Sequence, residues 1–245
     1  MKNNAPASPA IPDFPRPYTT VDVVIFTVMD AALQVLLVQR PAEAQDPFPA
    51  LWALPGGFVN VDLDADLEAC ARRKLKEKTA VDSPYLEQLG SWGGKARDPR
   101  GWSATHVYFA LIPAQHLTLT KGANAADVAW FEVDALLADS QLAFDHSTIL
   151  HTAVERLRAK VEYTSLPAFL LPEPFTLPQL QQTYETVLGR PVDKSGFRTR
   201  MLAAQFLQEA GHVDGSSNRP AMGYKLSDRS APVVFPRTFS PRAGG

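Results

Sequence analysis

Arg73, Lys74, Glu77 and Lys78 crowd four charges into one short stretch, LEACARRKLKEKT (67–79). Leu67, Cys70, Ala71 and Leu75 recur there at helical spacing, with charged residues between them. Side chains three and four positions apart on a helix project together, so Glu77 is placed to pair with Arg73. Lys74 and Lys78 remain as ammonium groups alongside, and on charge alone they could neutralise a diphosphate. A second set is Arg97 and Arg100, around Asp98-Pro99 in a turn. Guanidinium groups donate in a planar fork that suits a diphosphate; an ordinary charged hairpin loop is the equal alternative. The third set is Arg190, Lys194, Arg198, Arg200, Arg219 and Lys225. It reads either as phosphate contacts to nucleic acid or as a solvated basic face. Cys70, the only cysteine, forbids an internal disulfide and a multi-cysteine zinc site. It sits on the apolar side of its segment, as inert core. Trp52 is read as core ahead of a stacking surface. Asp145 and His146 open a helical segment, where capping by Asp145 or Ser147 is preferred to catalysis.

The elements that position these groups follow from periodicity. VDVVIFTV (21–28) and LQVLLVQR (33–40) read as a strand hairpin. YLEQLGSWG, HVYFALIP and VAWFEV read as further strands. In HSTILHTAVERLRAKVEY (146–163) apolar residues return every four positions, an amphipathic helix. LPAFLLPEP, with three prolines, suggests a linker. Beyond it, Thr176 and Gln179 have capping-box spacing and Gly189 stands where a helix ends. A second helix starts from Asp193, with Phe197, Met201, Ala204 and Leu207 on one face. After DGSSNRP comes a short strand, AMGYKLS. Helix, turn, helix and hairpin is the order of a winged helix; a helical appendage packed on the first unit is the alternative.

With 45% hydrophobic and 20% charged residues, the composition is that of a globular protein and excludes collagen, coiled coil and wholesale disorder. No apolar run is long enough to span a membrane, and MKNNAPASPAIPDFPRP lacks the apolar core of a signal peptide. A cytoplasmic location is expected. Residues 1–150 hold 12 Lys and Arg against 18 Asp and Glu, a net of −6; residues 151–245 hold 12 against 8, a net of +4. Such asymmetry fits a nucleic-acid partner on the basic side.

GGFVNVDLDADLEACARRKLKEKTAV (56–81) resembles the Nudix box, a loop–helix–loop whose glutamates hold a divalent metal in active hydrolases. Gly57, Arg73, Leu75 and Glu77 match; two helical glutamate positions are Lys74 and Lys78, and the late glycine is Ala80. Gly57 to Arg73 spans 16 positions, two more than the pattern, so Asp62, Leu63 and Asp64 are candidates for the displaced loop glutamate. At ~4 Å and an effective dielectric of ~20, each like-charge contact with a cation costs on the order of 4 kcal/mol. No resident metal and no catalytic residue are therefore expected. The segments from YLEQLGSWGG to VAWFEVD and LAFDHSTIL, then FTLPQLQQTYETVLGRPVDKSGFRTRML and NRPAMGYKL, resemble the Nudix-related transcriptional regulators of NAD metabolism, the NrtR family. Ser195-Gly196 departs from it, where a basic residue and Asn are usual.

The resemblance implies an α+β chain: an α/β/α Nudix-like sandwich with a mixed sheet, then a small winged helix. The expected division is a flexible Pro-rich arm (1–17), a ligand-sensing Nudix-like domain (18–145), a connecting helix and linker (146–174), a winged helix (175–227) and an irregular tail (228–245). It implies a homodimeric regulator that binds double-stranded DNA and senses ADP-ribose or a related NAD-derived nucleotide. Arg73, Lys74, Glu77, Lys78, Arg97 and Arg100 would hold the nucleotide, and the third set above the DNA. The alternative is a Nudix hydrolase of ADP-ribose-like nucleoside diphosphates, requiring Mg or Mn and using Glu77. A nucleotide-binding module acting through protein contacts alone is a third possibility.

Overall fold

The computed structural model describes residues 15–81, 85–116, 125–138, 141–213 and 220–239. β1 (Tyr18–Met29) and β2 (Ala32–Gln39) form a hairpin with Phe26 opposite Val35. Its two turn residues, Asp30 and Ala31, both take positive φ, as a turn matched to strand twist requires. β3 (Trp52–Ala53), β4 (Gly56–Phe58), β5 (Tyr85–Gly94), β6 (Ser103–Leu111) and β7 (Asp127–Glu132) complete a seven-stranded sheet. Its main order is β3-β2-β1-β6-β5, with β4 on β1 and β7 on β2. β1 and β6 run parallel and the other pairs antiparallel, so the sheet is mixed.

Alternation along β1 separates two cores. Val21, Val23 and Ile25 face α1 (Leu67–Thr79), against Cys70, Ala71 and Leu75. Val24 and Phe26 face the opposite layer, where α3 (His146–Val161) contributes Ile149, Ala153 and Leu157. A short α2 (Val133–Ala138) precedes it. The result is helix, sheet, helix.

The second unit is β8 (Phe175–Thr176), α4 (Leu177–Leu188), α5 (Lys194–Ala203), β9 (Leu207–Val213) and β10 (Ala221–Leu226), with sheet order β8-β10-β9. This is a winged helix. The Thr176–Gln179 capping box, the left-handed Gly189 at the end of α4 and the Asp193 cap are all present. At the start of α3, however, Asp145 makes no capping bond, and its carboxylate goes to Arg97 instead.

Two further expectations are corrected. Helical spacing carried α5 on to Leu207, but Gln205 turns at φ 54 and Leu207 opens β9. The change is dictated by pairing with β10, which lies far along the chain. LPAFLLPEP, expected as a linker, is in its first part core: Leu166–Leu170 is a 3-10 turn whose residues are all buried. Its apolar side chains outweigh its prolines and extend one core from the sheet into α4. The described part of the tail, 228–239, is irregular in backbone as expected, and it is anchored by buried Phe235 and by Phe239.

Candidate functional site

A cleft of about 970 Å³ opens between α1, β4, the 97–101 turn and the start of α3. Arg73, Lys74, Glu77, Lys78, Arg97 and Arg100 all line it. The structure thus gathers residues from two separate stretches onto one wall and one rim.

Each is held differently. Arg73 forks onto Asp64, with Nη2 donating at 2.6 Å and Nε at 2.7 Å, and Nη1 donates to Glu77 at 2.9 Å. Asp64 is the buried member of the three loop candidates; Asp62 and Leu63 are exposed. The Arg73 bond pulls the Asp64 carboxyl far below the usual carboxylate range against the opposing effect of burial. The two extra loop residues are absorbed by a turn headed by Asn60, whose backbone N–H donates to Asp64 Oδ2 at 2.8 Å. Lys74 stands 3.5 Å from Glu77. A Cβ on Gly57 would sit 3.2 Å from Lys74 Nζ, so the glycine keeps room for that ammonium. Lys78 is buried, with no carboxylate within 4 Å among the described residues. Burial lowers its pKa, reinforced by Lys74 and opposed by Glu77. Arg100 forks onto Asp98 at 2.8 and 3.0 Å, and its guanidinium lies over Phe58.

Arg97 is part of a buried network absent from the sequence reading. Its Nη2 donates to Asp22 Oδ2 at 3.0 Å and its Nε to Asp145 Oδ2 at 3.1 Å. Thr105 donates to the same Asp22 oxygen at 2.7 Å. His146 Nδ1 accepts from the Leu54 amide at 2.9 Å. Its Nε2 faces Asp22 Oδ2 at 3.5 Å. Burial raises the Asp22 carboxyl, but His146, Arg97 and Thr105 outweigh it and leave the pKa lowered. Gly56 is fixed by this network, since a Cβ there would fall 1.9 Å from Asp22 Oδ1. The available signal was one aspartate inside an otherwise apolar strand. Phe144 was also missed; it lines the cleft at φ 56 with Arg40 and Arg97 over its ring.

A divalent cation wants several oxygen ligands. Glu77 is already paired with two cations, Asp64 is locked to Arg73, and Lys78 brings a further positive charge to the same wall. Among the described residues no three His, Cys, Asp or Glu side chains converge to hold a metal. The donor set does not fit the metal of an active Nudix box. Cys70 is buried, and burial pushes its thiol up to about 11. Trp52 packs on Phe131, 4.7 Å between ring centroids.

The basic set of the second unit splits. Lys194 and Arg198 on α5 and Lys225 on β10 are exposed. Arg190 is held by Glu162 at 2.5 Å. Arg200 lies over Phe239, 4.0 Å from the ring centroid, and donates to the Thr238 carbonyl at 2.9 Å. Arg219 lies outside the described residues. Gly196 admits the Asp193 cap: its N–H donates to Asp193 Oδ2 at 2.6 Å, where a Cβ would meet that oxygen at 3.0 Å.

Residues 18–153 match the NUDIX domain family and residues 167–226 the NrtR DNA-binding winged helix domain. The chain is 43% identical to the ADPR responsive transcriptional repressor NtrR of Acinetobacter baylyi over 225 residues, 92% of this chain and 88% of that protein. It superposes on the crystal structure of Shewanella oneidensis NrtR complexed with a 27mer DNA with a TM-score of 0.80 and 43% identity, covering 90% of this chain and 98% of that one. The NUDIX domain of the same Shewanella protein, complexed with ADP ribose, aligns at 46% identity and a TM-score of 0.53, covering 59% of this chain and 90% of that one. With its two domains in this order and matched along nearly its whole length, the chain belongs to the NrtR family of Nudix-related transcriptional regulators.

Proposed function

We propose that this protein is a transcriptional repressor that releases operator DNA when ADP-ribose fills the Nudix cleft. The observation that carries the reading is the pair Lys74 and Lys78 on the cleft wall, where a metal-binding box would place carboxylates. Two ammonium groups offset a diphosphate directly, and the cleft volume is in the range of small-molecule sites. The ligand is then held without a hydrolytic metal. Arg73, fixed by Asp64, and Arg97, fixed by Asp22 and Asp145, shape the wall rather than move toward the ligand. The winged helix uses Lys194 and Arg198 on α5, with Lys225 on the adjoining hairpin, against phosphates. The Acinetobacter and Shewanella relatives, one named for its response to ADPR and the other crystallised with DNA and with ADP ribose, support both halves of this reading. We further propose that the protein works in the cytoplasm as a homodimer on a roughly two-fold symmetric site.

The test is selection of duplexes from random DNA by the full chain, followed by anisotropy of the enriched duplex with and without ADP-ribose. Enrichment of a symmetric site and its release by ADP-ribose are expected. Binding that ADP-ribose leaves unchanged would remove it as effector. In parallel, ADP-ribose with Mg²⁺ or Mn²⁺ should show no turnover near the 1–10³ s⁻¹ typical of enzymes, about which a Glu77→Gln control decides any residual rate.

A further inference from the structure

Basic residues stand on two flanks of α5. Arg198 and Arg200 are two positions apart, about 200° around a helix of 3.6 residues per turn. Phe197 and Met201 turn into the core, and Lys194 shares the Arg198 flank. Up to Leu226, where the winged-helix match ends, no second basic residue of α5 joins Arg200 on its flank. The C-terminal segment supplies one. After β10 the chain folds back along the end of α3. Ser165 N–H donates to Val233 O at 2.9 Å, Val233 N–H to Ser165 Oγ at 2.8 Å, Phe235 N–H to Tyr163 O at 2.7 Å and Phe239 N–H to Glu162 O at 2.9 Å. Phe239 packs against Tyr184 and Phe197, with centroids 5.1 and 5.9 Å away, and Phe235 against Phe206.

Between these two ring anchors, Pro236, Arg237 and Thr238 are pinned beside α5. Thr238 and Phe239 immobilise Arg200, while Arg237 is exposed. Burial lowers the pKa of Arg200 against the opposing effect of Tyr184 and Glu162, and the neighbouring Arg237 charge adds to the lowering. Nη1 of Arg200 is buried without a hydrogen-bond partner, and among the described residues neither guanidinium has a carboxylate within 4 Å. Two neighbouring cations, neither in an ion pair among the described residues, are complementary to a polyanion. A helix lying in the major groove has a phosphate strand along each flank.

We propose that residues 233–239 are part of the DNA interface: a strap that fixes Arg200 and sets Arg237 beside it as a backbone-phosphate contact, on the flank of α5 opposite Arg198. This rests on the DNA-binding reading above. The strap adds affinity and orientation without base recognition, because phosphate contacts carry no sequence information.

The test is a salt titration of duplex binding by the full chain, using a fluorescent duplex enriched by the wild-type protein. Arg237→Ala should lower the slope of log K against log salt by about 0.9 for each phosphate that is no longer neutralised. Arg237→Lys should keep the wild-type slope, and the Arg237→Ala deficit should shrink as salt rises. Arg237 is exposed, so its replacement leaves the core untouched. An Arg237→Ala protein that matches wild type at every salt concentration overturns the proposal. So does one that is weaker by a constant factor throughout, which marks a structural effect. If the wild-type chain enriches no duplex, the DNA reading fails first and the strap proposal with it; a wild-type protein that binds while the Arg237 slope is unchanged isolates the failure to the strap.

Discussion

In the function proposed above, Lys78 serves binding at the expense of folding. A buried ammonium without a carboxylate in contact costs desolvation energy that the more distant Glu77 only partly offsets. Lys78→Met keeps most of the volume and removes the charge. We expect its melting temperature to match or exceed that of the wild type, measured by thermal denaturation. A hydrogen bond to a charged group contributes about 1.5–3 kcal/mol, so ADP-ribose affinity should fall by about 10–150-fold in calorimetry. Asp22 is the opposite case. Asp22→Asn leaves buried Arg97 short of half its compensation, which should cost about 3–5 kcal/mol in a denaturant titration. Asp22 and Asp64 both have lowered folded pKa values. Their contribution is therefore complete above the unfolded carboxyl value of about 3.9 and is lost as pH falls through the lower folded values. Wild-type stability should stay level through neutrality on their account and decline below about pH 4. Asp22→Asn and Asp64→Asn should each flatten that decline. The ion pair of Arg73 with Glu77 was legible because four-residue spacing on a helix fixes it. The Asp22 network was not, because it joins β1, β6, the 97–101 turn and α3, and local spacing does not encode partners 75 to 83 positions apart.

At the scale of elements, what the sequence made legible were the features that local geometry controls. The Thr176 capping box is one. Gln179 N–H donates to Thr176 Oγ1 at 3.3 Å and Thr176 N–H donates to Gln179 Oε1 at 2.7 Å. Thr176→Ala should cost about 1 kcal/mol, read from chemical denaturation. Thr176 also pairs with Gly223 in the wing sheet, so its backbone position must be kept for the hairpin to form. The hairpin β1–β2, the α1 face and the end of α4 at Gly189 were legible for the same reason. The misread elements are those decided by partners distant in sequence. Leu207 belongs to a strand because β10 pairs with it, and Leu166–Leu170 is buried because α3 and α4 close around it. The tail followed the same rule: its prolines promised irregular backbone, which it has, while Phe235 and Phe239 found a core that only the folded winged helix creates.

Across the whole molecule, α3 joins the two sites. It begins at His146 in the cleft network and runs 16 residues, about 24 Å at 1.5 Å per residue. Near its far end Arg158 donates to the Val187 carbonyl on α4 at 3.1 Å, and just beyond it Glu162 holds Arg190 and the strap. A ligand that alters the cleft therefore bears on the helix that orients α4 and α5. Such coupling has a size that can be measured. Allosteric free energies are typically 1–3 kcal/mol, so ADP-ribose should weaken operator binding by about 5–150-fold. Linkage makes the effect mutual, and operator DNA must weaken ADP-ribose binding by the same factor. Calorimetric titration of ADP-ribose into free protein and into the protein–DNA complex measures the second side; anisotropy of the duplex with and without saturating ADP-ribose measures the first. The two factors should agree. Asp145→Asn, which removes the charge of one Arg97 partner at the start of α3, should reduce both factors together if coupling runs through that helix. A variant that loses ligand affinity yet keeps the full factor would show that α3 only supports the cleft, and equal ADP-ribose affinity with and without DNA would show that the nucleotide distinguishes no states and cannot act as the effector.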